Sequence, residues 1–487
     1  MNPPPPYHDN TTINQTRNRN ISINSIVDPS NLDIINDEES FNEETPLINE
    51  KILEHYEANN RKKRGKISNC SKIILLIIFA LFIFILGNII YFTFTLNKQI
   101  HLSYSDTNTS DITITWITLS NSPLETIYIE IFNGNQSFVP IINPSVDTFS
   151  FLYLFNRYIY SSKVIVGNNN SISYKIVDDN INWKSEEYYY KSDNNRNSQT
   201  VLIYGDMGYA NNRILNNIND EVNQNSIDFI LHVGDFAYNF EDYFGTTSDL
   251  FFSNIEKIAA ITPYMAIPGN HEHYNNFSFY KNVFNMPLKS QFDNLFYNLD
   301  KPPIKFININ SEVYYFDSLK PTIQTQTNFI KNQITNVNRS KFPWLIVTGH
   351  RPMYCSSDDN DFCSRWKTDP LRLALEEILF ASNTTLYISG HEHNYERICP
   401  IFNGQCQNNM STLRTYYKLN GLYPIHLITG AAGNKERLSN FVKNPPQFSI
   451  FRKCDYGYGL LYANYTHLVW TQKGAHGNVI DKFVITN

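Results

Sequence analysis

Five short segments beyond residue 200 share one design, an apolar run that ends in glycine and is followed at once by a side chain with strong ligand chemistry. They are Gly205-Asp206-Met207-Gly208, Gly234-Asp235-Phe236-Ala237-Tyr238, Gly269-Asn270-His271-Glu272, Gly349-His350 and Gly390-His391-Glu392-His393. Apolar runs at 201–204, 229–233, 344–348 and 386–389 alternate with longer helical patterns, and this alternation predicts an α/β domain over 198–487. One helix start is marked, with Asp369 as N-cap, Pro370 in the first turn and an apolar pattern over 371–380. Ligands of open α/β sheets collect at the strand ends, where a glycine lets the backbone turn sharply and the next side chain project into the crevice.

The donors at these ends are Asp206, Asp235, Tyr238, Asn270, His350, His391 and His393. A single divalent ion takes three or four protein ligands, so this set suits two ions that share a bridging carboxylate. His391 and His393, two residues apart, can serve one ion each. Taken singly, the residues read blandly. A Gly-Asp pair after a strand is a common turn, and one Tyr among 32 is ordinarily a core residue. His232, inside its strand, reads as a packed core histidine, and His273 and Tyr274 read as wall. Five such motifs in one order predict a metal site.

The segments GDMG, GDFAY, GNHE, GHRPMY and GHEHNYER resemble the metallophosphoesterase superfamily, and Tyr238 with Asn394-Tyr395-Glu396-Arg397 narrows the resemblance to the purple acid phosphatases. It covers roughly residues 99–487. Gln99-Ile100-His101-Leu102-Ser103 looks like the opening of the family's N-terminal fibronectin-like sandwich, and Gly477-Asn478-Val479-Ile480-Asp481 looks like its C-terminal tail, here the segment from about 422. The resemblance implies an αββα catalytic sandwich that hydrolyses phosphate monoesters at acidic pH with a metal-bound hydroxide. It implies Fe(III) on the residues matching Asp206, Asp235, Tyr238 and His393. A divalent ion (Zn, Fe or Mn) falls on those matching Asp235, Asn270, His350 and His391, and Asn270 and His271 contact the phosphate. A phenolate is a hard anionic donor suited to Fe(III), whereas the neutral donors suit a softer divalent ion.

The plant-type members carry a His pair about nine residues past the position of His350, one of which protonates the leaving group. Here Ser356-Ser357-Asp358-Asp359-Asn360-Asp361 has none. Asp358, Asp359 and Asp361 are the nearby acids, Asp359 being the candidate donor, and Arg351 is an alternative that would offset leaving-group charge. The bland reading of the run is a solvated loop. Two other functions compete with a phosphomonoesterase: a phosphodiesterase or nucleotide pyrophosphatase on the same site, against which Tyr238 argues, and a dead domain in an adhesion or receptor protein, against which the complete donor set argues.

Upstream, the polar 1–72 segment predicts a disordered cytosolic tail, while 73–96, apolar except for Gly87, Asn88, Thr93 and Thr95, predicts a membrane-spanning helix. Six cations from Arg61 to Lys72 precede the span, so the positive-inside rule places the rest of the chain in the lumen or outside the cell. Glu43-Glu44-Thr45-Pro46-Leu47-Ile48 resembles an acidic dileucine signal read by cytosolic adaptors, which favours an endolysosomal address over the plasma membrane. Alternating β-branched runs in 97–190 predict a small antiparallel sandwich, followed by a polar linker at 191–197. Glycosylation triplets begin at Asn108, Asn135, Asn169, Asn276, Asn338, Asn383, Asn409 and Asn464. Of the cysteines beyond the span, Cys355 with Cys363 and Cys399 with Cys406 are expected to pair and Cys454 to stay free, although sequence alone does not fix connectivity. Forty basic against 46 acidic residues, a net charge of −6, argues against nucleic acid as a partner.

Overall fold

The computed structural model describes residues 54–62, 71–83 and 99–487, apart from segments at 108–110, 120–121, 123, 133–138, 142–143, 152–154, 168–170, 193–196, 211–212, 225–226, 336, 359–362 and 408–414. The described residues up to 83 belong to one unit and those from 99 onward to another. In the first, 54–62 is helical where the sequence predicts a disordered tail, with Glu57 and Arg61 one turn apart and 3.5 Å from each other. Residues 71–83 are also helical and carry exposed Ile, Leu and Phe side chains. Among the described residues no helix is long and apolar enough to cross a membrane, so the predicted span is seen only up to residue 83. The dileucine-like segment, most of the linker and Asp359 lie outside the described residues.

In the second unit a small all-β region comes first. His101–Tyr104, Ile112–Thr118, Phe155–Val164 and Ser145–Phe151 pair antiparallel in one sheet; Val139–Ile141, Ile127–Phe132, Ser171–Asp178 and Trp183–Lys184 form the other. Period-2 alternation puts Leu102, Ile114, Trp116 and Tyr160 of one sheet and Ile129 and Ile176 of the other into a single buried cluster. This region is bonded to the catalytic part by buried contacts. Arg157 donates through Nε and Nη2 to Asp249 at 2.9 and 2.6 Å, Gln99 N donates to Glu256 Oε2 at 2.9 Å, and Tyr174 OH donates to the Ala260 carbonyl at 2.6 Å.

The α/β part contains two sheets. Tyr264–Ile267, Phe229–Val233 and Ser198–Tyr204 run parallel in the first, which continues antiparallel through Gly457–Asn464, His467–Gly474 and Val479–Thr486. Ile304–Asn308, Trp344–Thr348, Leu386–Ser389 and Ile425–Thr429 run parallel in the second. The runs FILHV, YMAI, WLIVT and LYIS are buried at every position, as expected for parallel strands covered on both faces. Helices such as Thr246–Ala259, Lys320–Ile334 and Arg365–Ala381 connect the strands. The last of these begins earlier than the sequence predicts: Ser364 is its N-cap and Pro370 lies inside it. Asp369 does not cap; its carboxylate accepts from Arg372 Nη2 at 2.8 Å, one turn on.

Candidate metal centre

The five strand ends converge. Asp206 follows Ser198–Tyr204, Asp235 follows Phe229–Val233, Asn270 follows Tyr264–Ile267, His350 follows Trp344–Thr348 and His391 follows Leu386–Ser389, so both sheets contribute. The sequence places the sharp turns at the glycines, but of the five only Gly234 is left-handed, at φ +91°. The residues held in that region are four of the donors themselves: Asp206 (φ 61°), Asp235 (55°), Tyr238 (60°) and His391 (69°). Such backbone costs on the order of 1 kcal/mol or more per residue and persists where the surroundings dictate it. The glycines serve closeness instead. A Cβ at Gly269 would overlap Asp235 Oδ1, and one at Gly390 would overlap Asp206 Oδ2.

Around Asp235, His350 Nε2 lies 3.2 Å from Asp235 Oδ2 and 3.2 Å from Asn270 Oδ1, and His391 Nδ1 lies 3.2 Å from His350 Nε2. Ligand atoms of Asp235, His350 and His391 are all within 4.8 Å of one another. Beside them, Tyr238 OH lies 2.8 Å from His393 Nε2 and 3.5 Å from Asp206 Oδ1, and His393 Nε2 lies 3.4 Å from Asp206 Oδ1. The seven donors thus form two adjoining groups. His350 Nδ1 donates to the Val233 carbonyl at 2.9 Å and His393 Nδ1 to that of Arg437 at 2.9 Å, which aims both Nε2 lone pairs inward.

Electrostatics agree with cation binding. Burial drives the Tyr238 phenol well above its ordinary pKa, and Asp206 and Asp235 push the same way, so only a strong positive charge beside it would ionise it. Burial, Arg351 and His350 together hold the His391 imidazole well below its ordinary pKa, which favours the neutral ring. Burial alone would depress His350, but the Asp235 and Asp206 carboxylates override it and raise the imidazole to about 10. Two acidic groups and buried imidazoles this close together fit a pair of cations.

The residues around the cluster include several that the sequence does not single out. Glu272 is buried and accepts from the backbone N–H groups of Asp235, Phe236 and Gly269 at 2.9, 2.9 and 2.8 Å; burial, helped by Asp235, lifts its carboxyl to about 8. His271 N donates to Asp235 Oδ1 at 3.0 Å, while its ring makes a 2.9 Å bond from Nδ1 to Asn239 Oδ1. A cleft of about 580 Å³ opens over the cluster, walled by Arg351, Asp358 and the 436–440 segment. That segment follows a sixth strand end, Ile425–Thr429 then Gly430, which carries no donor motif and so escapes a search for one. Outside the site, His232 is a core residue, its ring 2.6 Å from Tyr264 OH, and His273 stacks on Phe316 at 3.7 Å. The disulfides Cys355–Cys363 and Cys399–Cys406 are formed, and Cys454 is free and exposed. Of the glycosylation candidates, Asn276, Asn338 and Asn383 are exposed and Asn464 is half-buried; Asn108, Asn135, Asn169 and Asn409 lie outside the described residues.

Residues 199–395 match a family model described as calcineurin-like phosphoesterase, and residues 423–482 match one described as iron/zinc purple acid phosphatase-like protein C. Acid phosphatase type 7 of Mus musculus is 36% identical over 296 residues, 58% of this chain and 66% of its own. The Danio rerio protein of the same name is 35% identical over 306 residues, 59% and 68% respectively. The matched part therefore spans about two thirds of the length of these relatives. A purple acid phosphatase from yellow lupin (Lupinus luteus) seeds shares the fold, with a TM-score of 0.67 over 80% of this chain and 74% of its own at 24% identity.

Proposed function

Because this chain belongs to the purple acid phosphatase family, we propose that it is a phosphomonoesterase with a dinuclear centre, acting at acidic pH. The observation that carries the reading is the convergence of seven donors from five strand ends beneath one open cleft. In this reading Asp206, Asp235, Tyr238 and His393 hold Fe(III), and Asp235, Asn270, His350 and His391 hold Zn, Fe or Mn. When bound, the two ions supply Lewis acidity to the phosphoryl oxygens and to a water molecule.

The chain's own contribution is orientation and charge. In this reading Asp235, grouped with His350 and His391, is the donor that both ions would share. Asn239 turns its amide nitrogen toward Asp242 (3.3 Å), so its oxygen accepts the Nδ1–H of His271. That bond leaves His271 Nε2 as the ring atom that would meet a phosphoryl oxygen. The Glu272 side chain fixes the backbone that carries Asp235, and the left-handed turns aim the donors before any substrate arrives.

The test is spectroscopic. Purified protein should contain iron and show a broad visible band from the Tyr238 phenolate, and Tyr238→Phe should lose the band while keeping part of its iron through the three remaining donors. A colourless, iron-free but active wild type would overturn the ferric assignment.

On the sequence of 61–96 we also propose a single-pass membrane anchor with the catalytic part in an endolysosomal lumen. Replacing Leu47 and Ile48 by Ala should shift a tagged full-length chain to the cell surface. An unchanged distribution by microscopy would remove the sorting role.

A further inference from the structure

Arg351 follows His350 directly and is held from four directions. Its Nε donates to both oxygens of Glu312, at 3.0 and 2.8 Å, and the Glu312 side chain is wholly buried. Its guanidinium carbon lies 4.4 Å from the centre of the Tyr315 ring. The Ser311 hydroxyl accepts from the backbone N–H groups of His350 and Arg351 at 3.1 and 2.9 Å, and Tyr387 OH donates to the Arg351 carbonyl at 2.7 Å. Nη1 donates to His391 Nε2 at 3.0 Å, while Nη2 has no hydrogen-bond partner among the described residues. The side chain, only 12% exposed, lines the cleft. His271 stands by Tyr238, with ring centres 4.6 Å apart, and Arg351 stands by His391, so the two flank the donor cluster from different ends.

Resting on the phosphatase reading above, we propose that Arg351 is a catalytic residue that offsets the charge on the departing oxygen, and that Glu312 is its positioning residue. Apart from His271 and the donors themselves, the titratable side chains lining the described cleft are Asp358, Glu436, Arg351 and Arg437. Asp358, Glu436 and Arg437 are exposed, and no described residue clamps them as Glu312 clamps Arg351. As the P–O bond breaks, its electron pair stays on the leaving oxygen. Arg351 keeps its proton and balances the new charge, and solvent water supplies the proton that completes the alcohol. A fixed guanidinium with Nη2 unengaged among the described residues costs little reorganisation, because its stem, Nε and Nη1 are already committed.

The role predicts a dependence on the leaving group. With the full chain loaded with its metals, kcat/KM is measured for a series of aryl phosphates whose phenols range from strongly to weakly acidic. Arg351→Gln should lose about tenfold on the most acidic phenol and about 1,000-fold on the least acidic, while metal content and inhibition by inorganic phosphate hold. Glu312→Gln should shift the slope in the same direction by less. Should an unpaired buried Glu312 unfold the single variant, Arg351→Gln combined with Glu312→Gln removes both partners, and added guanidinium should then restore preferentially the least acidic esters. A uniform loss across the series with weakened phosphate inhibition would place Arg351 on the phosphoryl group and overturn the role, as would loss of metal. If the wild type cleaves none of the esters, the phosphatase reading itself fails and this role with it.

Discussion

Asp235→Asn is expected to remove most of the bound metal and at least about 1,000-fold of the activity, more than any other single donor change. Asp235 is buried, with Oδ2 3.2 Å from His350 Nε2 and Oδ1 accepting from His271 N at 3.0 Å. Burial opposes its charge, but His350 and His271 hold its carboxyl below the usual range. The amide has the same shape, so the fold should survive while the shared negative charge disappears. His271→Ala makes the contrast, since it reaches the centre only through Asp235 and the cleft. It should keep both metals and lose about a hundredfold in kcat on phosphomonoesters. Metal analysis and kinetics on the same two preparations check the pair, and equal metal loss in both would show that His271 helps to hold the ions.

Arg397→Leu should cost about 3–5 kcal/mol of stability, read as a large fall in Tm, without touching the cleft. Arg397 and Asp481 are both buried, joined by Nε at 2.8 Å and Nη2 at 3.1 Å. Tyr417 OH accepts from Nη1 at 3.0 Å, and Tyr395 OH donates to Asp481 at 2.8 Å. Removing the cation leaves a buried carboxylate that pairs with no other cation among the described residues. Arg397→Leu combined with Asp481→Leu should recover much of the loss, because it is the unpaired charge that destabilises. A single variant as stable as the wild type would mean that water reaches Asp481.

These two sites mark how far the sequence can be read. A strand ending in glycine and a donor is a local pattern, so Asp206, Asp235, Asn270, His350 and His391 are legible from spacing alone. The reason for the glycines is not legible, since it depends on how near Asp206 and Asp235 come from other strands. Arg397 and its motif neighbours Tyr395 and Glu396 look like part of the site, yet they point into the scaffold. Glu396 accepts from Ser356 N at 2.9 Å, and Asp481, the carboxylate that Tyr395 and Arg397 share, lies more than 80 residues away. Glu312, which meets the cleft only through Arg351, and the 436–440 wall carry no ligand signature, and both depend on the folded approach of distant segments. Pro370 is read as a first-turn residue because its favoured position there is a statistical preference, which tertiary packing overrides.

The strand Ser198–Tyr204 leads into Asp206, and its antiparallel neighbour is Gly457–Asn464, with Ser198 opposite Asn464. More than 250 residues separate these partners in the sequence. On a ribosome the first donor is therefore made long before the strand that completes its surroundings. The ion pair of Arg397 with Asp481 adds a second, shorter dependence on the last strands, across 84 residues. Premature termination before residue 457 would leave the edge of the Ser198–Tyr204 strand open, with buried apolar side chains and unpaired backbone groups, a substrate for quality control and aggregation. A chain ended between residues 393 and 457 therefore carries every donor motif without the strands that complete their surroundings.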